Sequence, residues 1–223
     1  MALKLKLSKR YGLSKLDADW REKIFNSIQS ERFKLAVSVL SATGCRPIEL
    51  ERGVIIRTNE GRLSIGISGA KVDKEAGRGQ PLRLLIVDSK TLWGSFLIQY
   101  AKTQVNNTAI IKYDAGAVSQ RLREKSRAIW PRRSTLVSAY TYRHYVGKAM
   151  KESGESIEKI ASALGHATDF SQTAYGRAGG KKKSAGSHGI LVAKATNPIR
   201  HSIKSDKLLR FTNPMKADFK DVI

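Results

Sequence analysis

With 223 residues, 41% of them hydrophobic and 27% charged, the chain is long enough for one globular domain with a buried core, and general disorder is excluded. Lysine and arginine number 41 against 19 acidic residues, so the formal net charge is +22. A surplus of that size points to a polyanionic partner, nucleic acid first, while charge alone also admits a ribosomal or membrane-surface role. The single cysteine, Cys45, excludes an intramolecular disulfide and a cysteine-based zinc site, and no apolar run approaches bilayer-spanning length.

Residues 1–13 alternate leucine and lysine and read as a basic arm, without the apolar segment of a secretory signal or anchor. From Ser14, a plausible N-cap, Leu16, Trp20, Ile24 and Ile28 repeat at helical spacing. A second helix is expected from about Glu31 to Ala42, ending at Thr43-Gly44, and a new helical turn starts near Pro47. Residues 53–88 change character. Val54–Ile56, Leu63–Ile67 and Leu82–Val87 read as three short strands, with Asn59-Glu60-Gly61 as the first turn and Gly69–Gln80 as a longer polar connection. Helices resume over Thr91–Lys102, Ala117–Trp130, Tyr140–Lys151 and Ser156–Leu164. From Ala115 to Lys151 nine basic residues face one acid, Glu124, which makes this stretch the expected DNA-facing surface. Arg121, Arg123, Lys125, Arg132 and Arg133 are its candidate contacts. A Gly-rich stretch and Lys181, Lys182 and Lys183 follow as a flexible basic linker, Gly189–Ala193 is a possible further strand, and residues 197–223 read as a tail packing only partly on its own domain.

Four pieces of sequence stand out by their order. They are Thr43-Gly44-Cys45-Arg46-Pro47-Ile48-Glu49-Leu50, Lys71 in the connection between the second and third strands, Tyr140-Thr141-Tyr142-Arg143-His144, and Leu164-Gly165-His166 with Tyr175 nine residues on. At these residues the chain resembles the tyrosine recombinase family, the integrases of phages and mobile elements, over roughly residues 14–178. The implied fold is mostly α-helical with a small antiparallel three-stranded sheet: residues 1–13 an arm, 14–178 the catalytic domain, and 179–223 a basic linker and C-terminal tail. Each piece alone has a plainer explanation: a surface ion pair for Arg46 and Glu49, a helix cap for His166, a half-buried ring for Tyr175.

The resemblance implies cleavage and rejoining of double-stranded DNA without metal or cofactor. Tyr175 would attack the phosphorus and hold it as a 3′-phosphotyrosine. Arg46 and Arg143 would bind the non-bridging oxygens with guanidinium forks. Removing one such donor costs on the order of 3 kcal/mol of transition-state stabilisation. Lys71, with Lys74 as second choice, would protonate the leaving 5′ oxygen as general acid, Lys71 being placed at the end of the second strand. His166 would bond the phosphoryl oxygen or assist Tyr175. One position departs from the family pattern: Tyr140 stands where the family usually has histidine, and a phenol with an ordinary pKa of about 10 is a poor base at neutral pH. His144, one residue past Arg143, is turned about 100° away on a helix.

The resemblance implies a core-binding domain ahead of the catalytic one, and the few residues before the first helix fit a fragment, a naturally minimal enzyme, or a clamp completed by another polypeptide. By resemblance the tail docks on a neighbouring subunit through Ile190-Leu191-Val192, in a tetramer on DNA, or folds back in cis. A cytoplasmic, nucleoid-associated protein of a prokaryote or its mobile element is implied. The alternatives are a catalytically impaired DNA-binding protein derived from an integrase, a type IB topoisomerase with the same chemistry, and a basic RNA-binding protein that forms no covalent adduct.

Overall fold

The computed structural model describes residues 13, 15–73, 75, 77–171, 188–203 and 205. Helix α1 spans Trp20–Asn26 and not the stretch from Ser14 that periodicity suggests; Ser14 itself lies outside the described residues. Ahead of α1 the Asp17 carboxylate joins two segments. It takes a 2.6 Å bond from Lys23 Nζ and a 3.2 Å bond from Trp130 Nε1. Ile28 lies past the end of α1 yet is buried, which is why the apolar repeat outruns the helix.

Helix α2 (Glu31–Thr43) starts at Ser30, whose hydroxyl accepts from the Phe33 N–H, and ends at Gly44 in the left-handed conformation. It is buried continuously from Leu35 to Thr43. A helix apolar on all sides belongs at the centre of a fold. It packs against α4 (Leu92–Lys102) on one side and α6 (Ala139–Glu152) on another. The short α3 (Pro47–Arg52) follows α2 directly, with proline in the first helical position, where its missing N–H costs nothing. Helices α5 (Ala115–Ile129) and α7 (Ile157–Leu164) are capped by Asp114 and Ser156, whose side chains accept from the N–H groups of Ala117 and Lys159.

The sheet has five strands where three are expected from sequence. β1 (Val54–Asn59), β2 (Arg62–Ser68), β3 (Leu82–Val87), β4 (Thr108–Ile111) and β5 (Ile190–Ala195) run in the order β4-β1-β2-β3-β5, each pair antiparallel. β4 holds only four residues, too few for alternation to register. β5 realises the possible strand at Gly189–Ala193, with its bounds shifted to Ile190–Ala195. Its register shifts between Ile86 and Val87, so Leu191 and Val192 are both exposed and the alternation is broken.

One face of the sheet presents Val54, Ile56, Leu63, Ile65, Ile67, Leu85, Val87, Ile111 and Ile190 to α2, α4 and α7, and these close the core with Trp20, Phe33, Leu97 and Tyr142. Arg83 shares that inward face with Leu85 and Val87. The opposite face carries Ile55, Leu82, Leu84, Ile110 and Val192 in partial exposure. Burial pushes the Cys45 thiol up to about 11, so it packs as a small apolar group. Among the described residues no helix is long and apolar enough to cross a membrane, and no group of three or more His, Cys, Asp or Glu is placed to hold a metal ion.

Candidate active site

Four sequence-distant segments meet where α2 gives way to α3. Thr43 shapes the junction: its hydroxyl donates to the Val39 carbonyl at 2.7 Å and accepts from the Cys45 N–H at 3.1 Å. Gly44 needs to be glycine for two reasons. Its φ is +60°, and a Cβ would lie 3.2 Å from the Arg143 Cα and 3.1 Å from the Val146 Cβ. The turn therefore rests directly on α6 at Arg143 and projects Arg46 at the start of α3.

Glu49 is the hub of the site. Its side chain is fully buried, yet all four lone-pair directions of the carboxylate are met. Oε2 accepts from the Arg46 N–H at 2.8 Å and from Arg83 Nη2 at 2.7 Å; Oε1 accepts from Arg46 Nη1 at 2.8 Å and from Arg83 Nη1 at 3.1 Å. Burial alone would raise its pKa, but Arg83 first and Arg46 second outweigh that and hold the carboxyl down at about 2. Arg83 forms a bidentate fork with no exposed side-chain surface, whereas the Arg46 side chain keeps 13% exposure.

Arg143, on the second turn of α6, is 2% exposed and oriented by carbonyls. Nη1 donates to the Gly44 carbonyl at 3.1 Å and Nη2 to the Leu164 carbonyl at 2.6 Å, with His166 Nε2 at 3.0 Å from the same Nη2. Arginine has no lone pair to give, so Nε2 is the acceptor and the neutral ring carries its proton on Nδ1. Burial, and then the charges of Arg143, Arg46 and Arg83, push the His166 pKa down to about 2. Gly165, at φ +66°, caps α7 and turns the chain into His166; a Cβ there would stand 2.7 Å from Arg83 Nη1. Three guanidiniums surround one carboxylate and a neutral imidazole, leaving an excess of two positive charges in a mostly buried cluster.

Solved structures of similar architecture include recombinases. The chain is similar to XerA recombinase, with a TM-score of 0.53 and 19% identity over 75% of this chain and 61% of that one. It is also similar to XerH site-specific recombinase bound to difH substrate in a pre-cleavage complex (TM-score 0.52, 16% identity, 72% of this chain and 49% of that one). A post-cleavage XerH complex on palindromic difH gives 0.52 and 15%, over 77% and 48%. The fold is that of a tyrosine recombinase catalytic domain. The chain spans about half to three-fifths of the length of these recombinases. No protein-family model matches it, and no curated protein sequence does.

On this tyrosine recombinase fold the remaining candidates fall in three places. Lys71 is exposed in the excursion between β2 and β3, and since β2 stops at Ser68 it lies beyond the strand and not at its end as the sequence suggests. The excursion is narrow: a Cβ on Gly79 would meet the Lys71 carbonyl at 1.9 Å, and Asp73 and Arg78 exchange backbone bonds of 3.0 and 2.8 Å. Lys74 is outside the described residues. Tyr140 is 39% exposed on the first turn of α6, one turn before Arg143, and His144 is half-buried beside it. Tyr175, Lys181, Lys182 and Lys183 lie outside the described residues.

The basic candidates divide. Arg123 and Arg132 are exposed, and Arg121 is exposed with its guanidinium 5.8 Å over the Phe33 ring. Lys125 Nζ donates to the Ser27 carbonyl at 2.6 Å, and Arg133 donates to the Thr135 and Lys15 carbonyls at 2.8 and 2.6 Å. Those two tie segments of the fold together.

The described part of the tail docks on its own domain, where sequence left the choice between a neighbour and cis. Ile190 is buried against Val87, and the Thr196 N–H donates to the Leu82 carbonyl at 3.0 Å. Buried Gln80 joins tail to site. Its Nε2 donates to the carbonyls of His166 and Asn197 at 3.1 and 3.0 Å, and its Oε1 accepts from the Asn197 N–H at 2.9 Å. Asp169 accepts from the Ser202 N–H and the Ser205 hydroxyl at 3.0 and 2.7 Å, with His201 Nδ1 at 2.6 Å, and Arg200 reaches the Gly77 carbonyl. Sequence reading missed Arg83 and Gln80. Arg83 did leave a signal, since it falls in the inward phase of a strand with Leu85 and Val87.

Proposed function

We propose that the chain is a site-specific DNA recombinase that breaks and rejoins double-stranded DNA through a 3′-phosphotyrosine link on Tyr175. The observation that carries this reading is the meeting of Arg46, Arg143 and His166 from three separate elements in a cluster with net positive charge. A phosphodiester gains negative charge on its non-bridging oxygens as the phosphorus becomes five-coordinate, and preorganised guanidiniums stabilise that charge. The Tyr175 oxygen forms the new bond to phosphorus and passes its proton to water. The bond from phosphorus to the 5′ oxygen breaks, and that oxygen receives a proton from Lys71. The reverse sequence, with a 5′ hydroxyl as nucleophile, rejoins the strand. The bond energy is kept in the phosphotyrosine, so no external energy source enters. The recombinases of like fold include one bound to difH substrate, which supports DNA as partner. The net charge of +22 supports it independently, and predicts binding that weakens steeply with salt. Exposed Arg121, Arg123 and Arg132 are the proposed backbone contacts with Lys181–Lys183, in a tetramer assembled on DNA.

The test is covalent trapping. The protein is incubated with supercoiled plasmid and nicked duplexes in EDTA, quenched with detergent, and the adduct located by gel and peptide mass. An adduct on Tyr175 that Tyr175→Phe abolishes is the expected result. A second reading, a DNA-binding protein without cleavage, draws on Tyr140 in the position of the usual histidine. Salt-sensitive DNA binding with no adduct on any duplex would favour it, and an adduct gained by Tyr140→His would assign the loss to that residue.

A further inference from the structure

We infer that Arg83 is a positioning residue for this site, holding Arg46 ready for a phosphate by taking half of Glu49; the inference rests on the recombinase reading for its consequence and on the geometry alone for its existence. Arg83 touches none of the groups proposed to react. It is a fully buried cation on the middle of β3, 34 residues from its carboxylate in sequence, and both of its terminal nitrogens are spent on the two Glu49 oxygens. Its Nε has no hydrogen-bond partner among the described residues, so the Glu49 carboxylate is what its guanidinium bonds there.

Its effect runs through charge and geometry together. Glu49 carries one negative charge and four acceptor directions. Two directions go to Arg83, one to the Arg46 N–H, and one to Arg46 Nη1. Arg46 is thereby gripped by a single side-chain bond, and the charge of Glu49 is already compensated before Arg46 is counted. Without Arg83 the carboxylate has two vacant acceptor directions beside one guanidinium. The fork of Arg46 then closes on it in the bidentate geometry that arginine and carboxylate prefer. The positive charge needed at a phosphate would be neutralised, and the donors turned inward. Gly165 makes room for this device. Its missing Cβ admits Arg83 Nη1 against the backbone that carries His166. One side chain thus links β3 to the Arg46 turn through Glu49 and to the His166 turn through Gly165.

The experiment uses the full chain and two readouts. The first is affinity for orthovanadate and for inorganic phosphate, by calorimetry. The second is the rate of Tyr175 adduct formation on nicked duplex. Arg83→Met keeps the length and apolar stem, and melting curves establish that it is folded. The expected result is a loss of about 10-fold in anion affinity, and of about 100-fold in adduct rate, the scale on which small misplacement of a positioned group acts. The loss falls on the rate constant at saturating DNA and leaves the DNA affinity at low salt unchanged. Arg83→Lys recovers little, because an ammonium cannot occupy both oxygens. The decisive variant is Arg83→Met with Glu49→Gln, which removes the carboxylate that captures Arg46 and regains part of the anion affinity. A merely structural role would let the double variant recover melting temperature, since both members of the buried pair are gone, without recovering anion affinity. Wild-type anion affinity in Arg83→Met, no anion binding by the wild type, or no recovery in the double variant would each overturn the inference. Absence of a wild-type adduct with the anion pattern intact would instead overturn the recombinase reading and leave the role of Arg83 standing.

Discussion

Glu49→Gln separates the electrostatic role of this residue from its shape. The carboxyl is held at about 2 in the folded chain against an ordinary 4.5, with Arg83 and Arg46 overcoming the burial that would raise it. The group is ionised in both states at neutral pH, and the depressed folded value means that its stabilisation is present above 4.5 and lost as pH falls toward 2. A difference of 2.5 units corresponds to about 3 kcal/mol at pH 7, falling to about 2 kcal/mol at pH 3.5. This agrees in scale with the roughly 3–5 kcal/mol lost when one partner of a buried pair is removed. The amide also turns an N–H₂ toward arginines that can only donate, so the contacts are not replaced. For a chain of this length the expected drop in melting temperature is about 6–12 °C at pH 7. Urea titrations of wild type and variant at pH 7, 4.5 and 3.5 measure the gap directly. A gap that stays constant across that range would refute the reasoning, because it would mean that the loss comes from packing and not from the charge.

The same titration carries a second signature at a different pH. His166 is held neutral by burial and by three guanidiniums, its pKa pushed from 6.5 to about 2, so the unfolded chain binds a proton that the folded chain refuses. Wild-type stability should therefore fall by up to about 1.4 kcal/mol per pH unit below 6.5, and His166→Gln should flatten that slope between pH 6.5 and 5; equal slopes in the two proteins would count against the buried neutral ring. Gln80→Ala should leave the carbonyls of His166 and Asn197 without their buried donor, costing roughly 2–3 kcal/mol and releasing the tail. Limited proteolysis after residue 195 reads this out, and unchanged protection would show that β5 alone holds the tail in place.

What the sequence discloses here is what is local. The helices from Glu31 onward follow from apolar spacing, and Gly44 and Gly165 mark helix ends that the structure places at positive φ. Arg46 and Glu49 are three residues apart on one helical start, so their pairing is within reach of a sequence argument. The fourth strand is not, because four residues are too few for alternation to register, and although a strand near Ile190 is legible, its pairing is not, because its partner β3 ends about a hundred residues earlier. Nor can composition sort the basic residues. Arg132 and Arg133 are neighbours of the same type, yet one is exposed while the other is bound to the Thr135 and Lys15 carbonyls. The case of Arg83 lies between. A strand reading Leu-Arg-Leu-Leu-Ile-Val has an obvious inward phase at positions 83, 85 and 87, and an arginine in that phase is too costly to bury without a carboxylate. The sequence therefore states that a partner must exist and does not say which. Folding supplies the answer by bringing Glu49 under β3, and with it the reason that a residue outside all four sequence motifs governs the geometry of two of them.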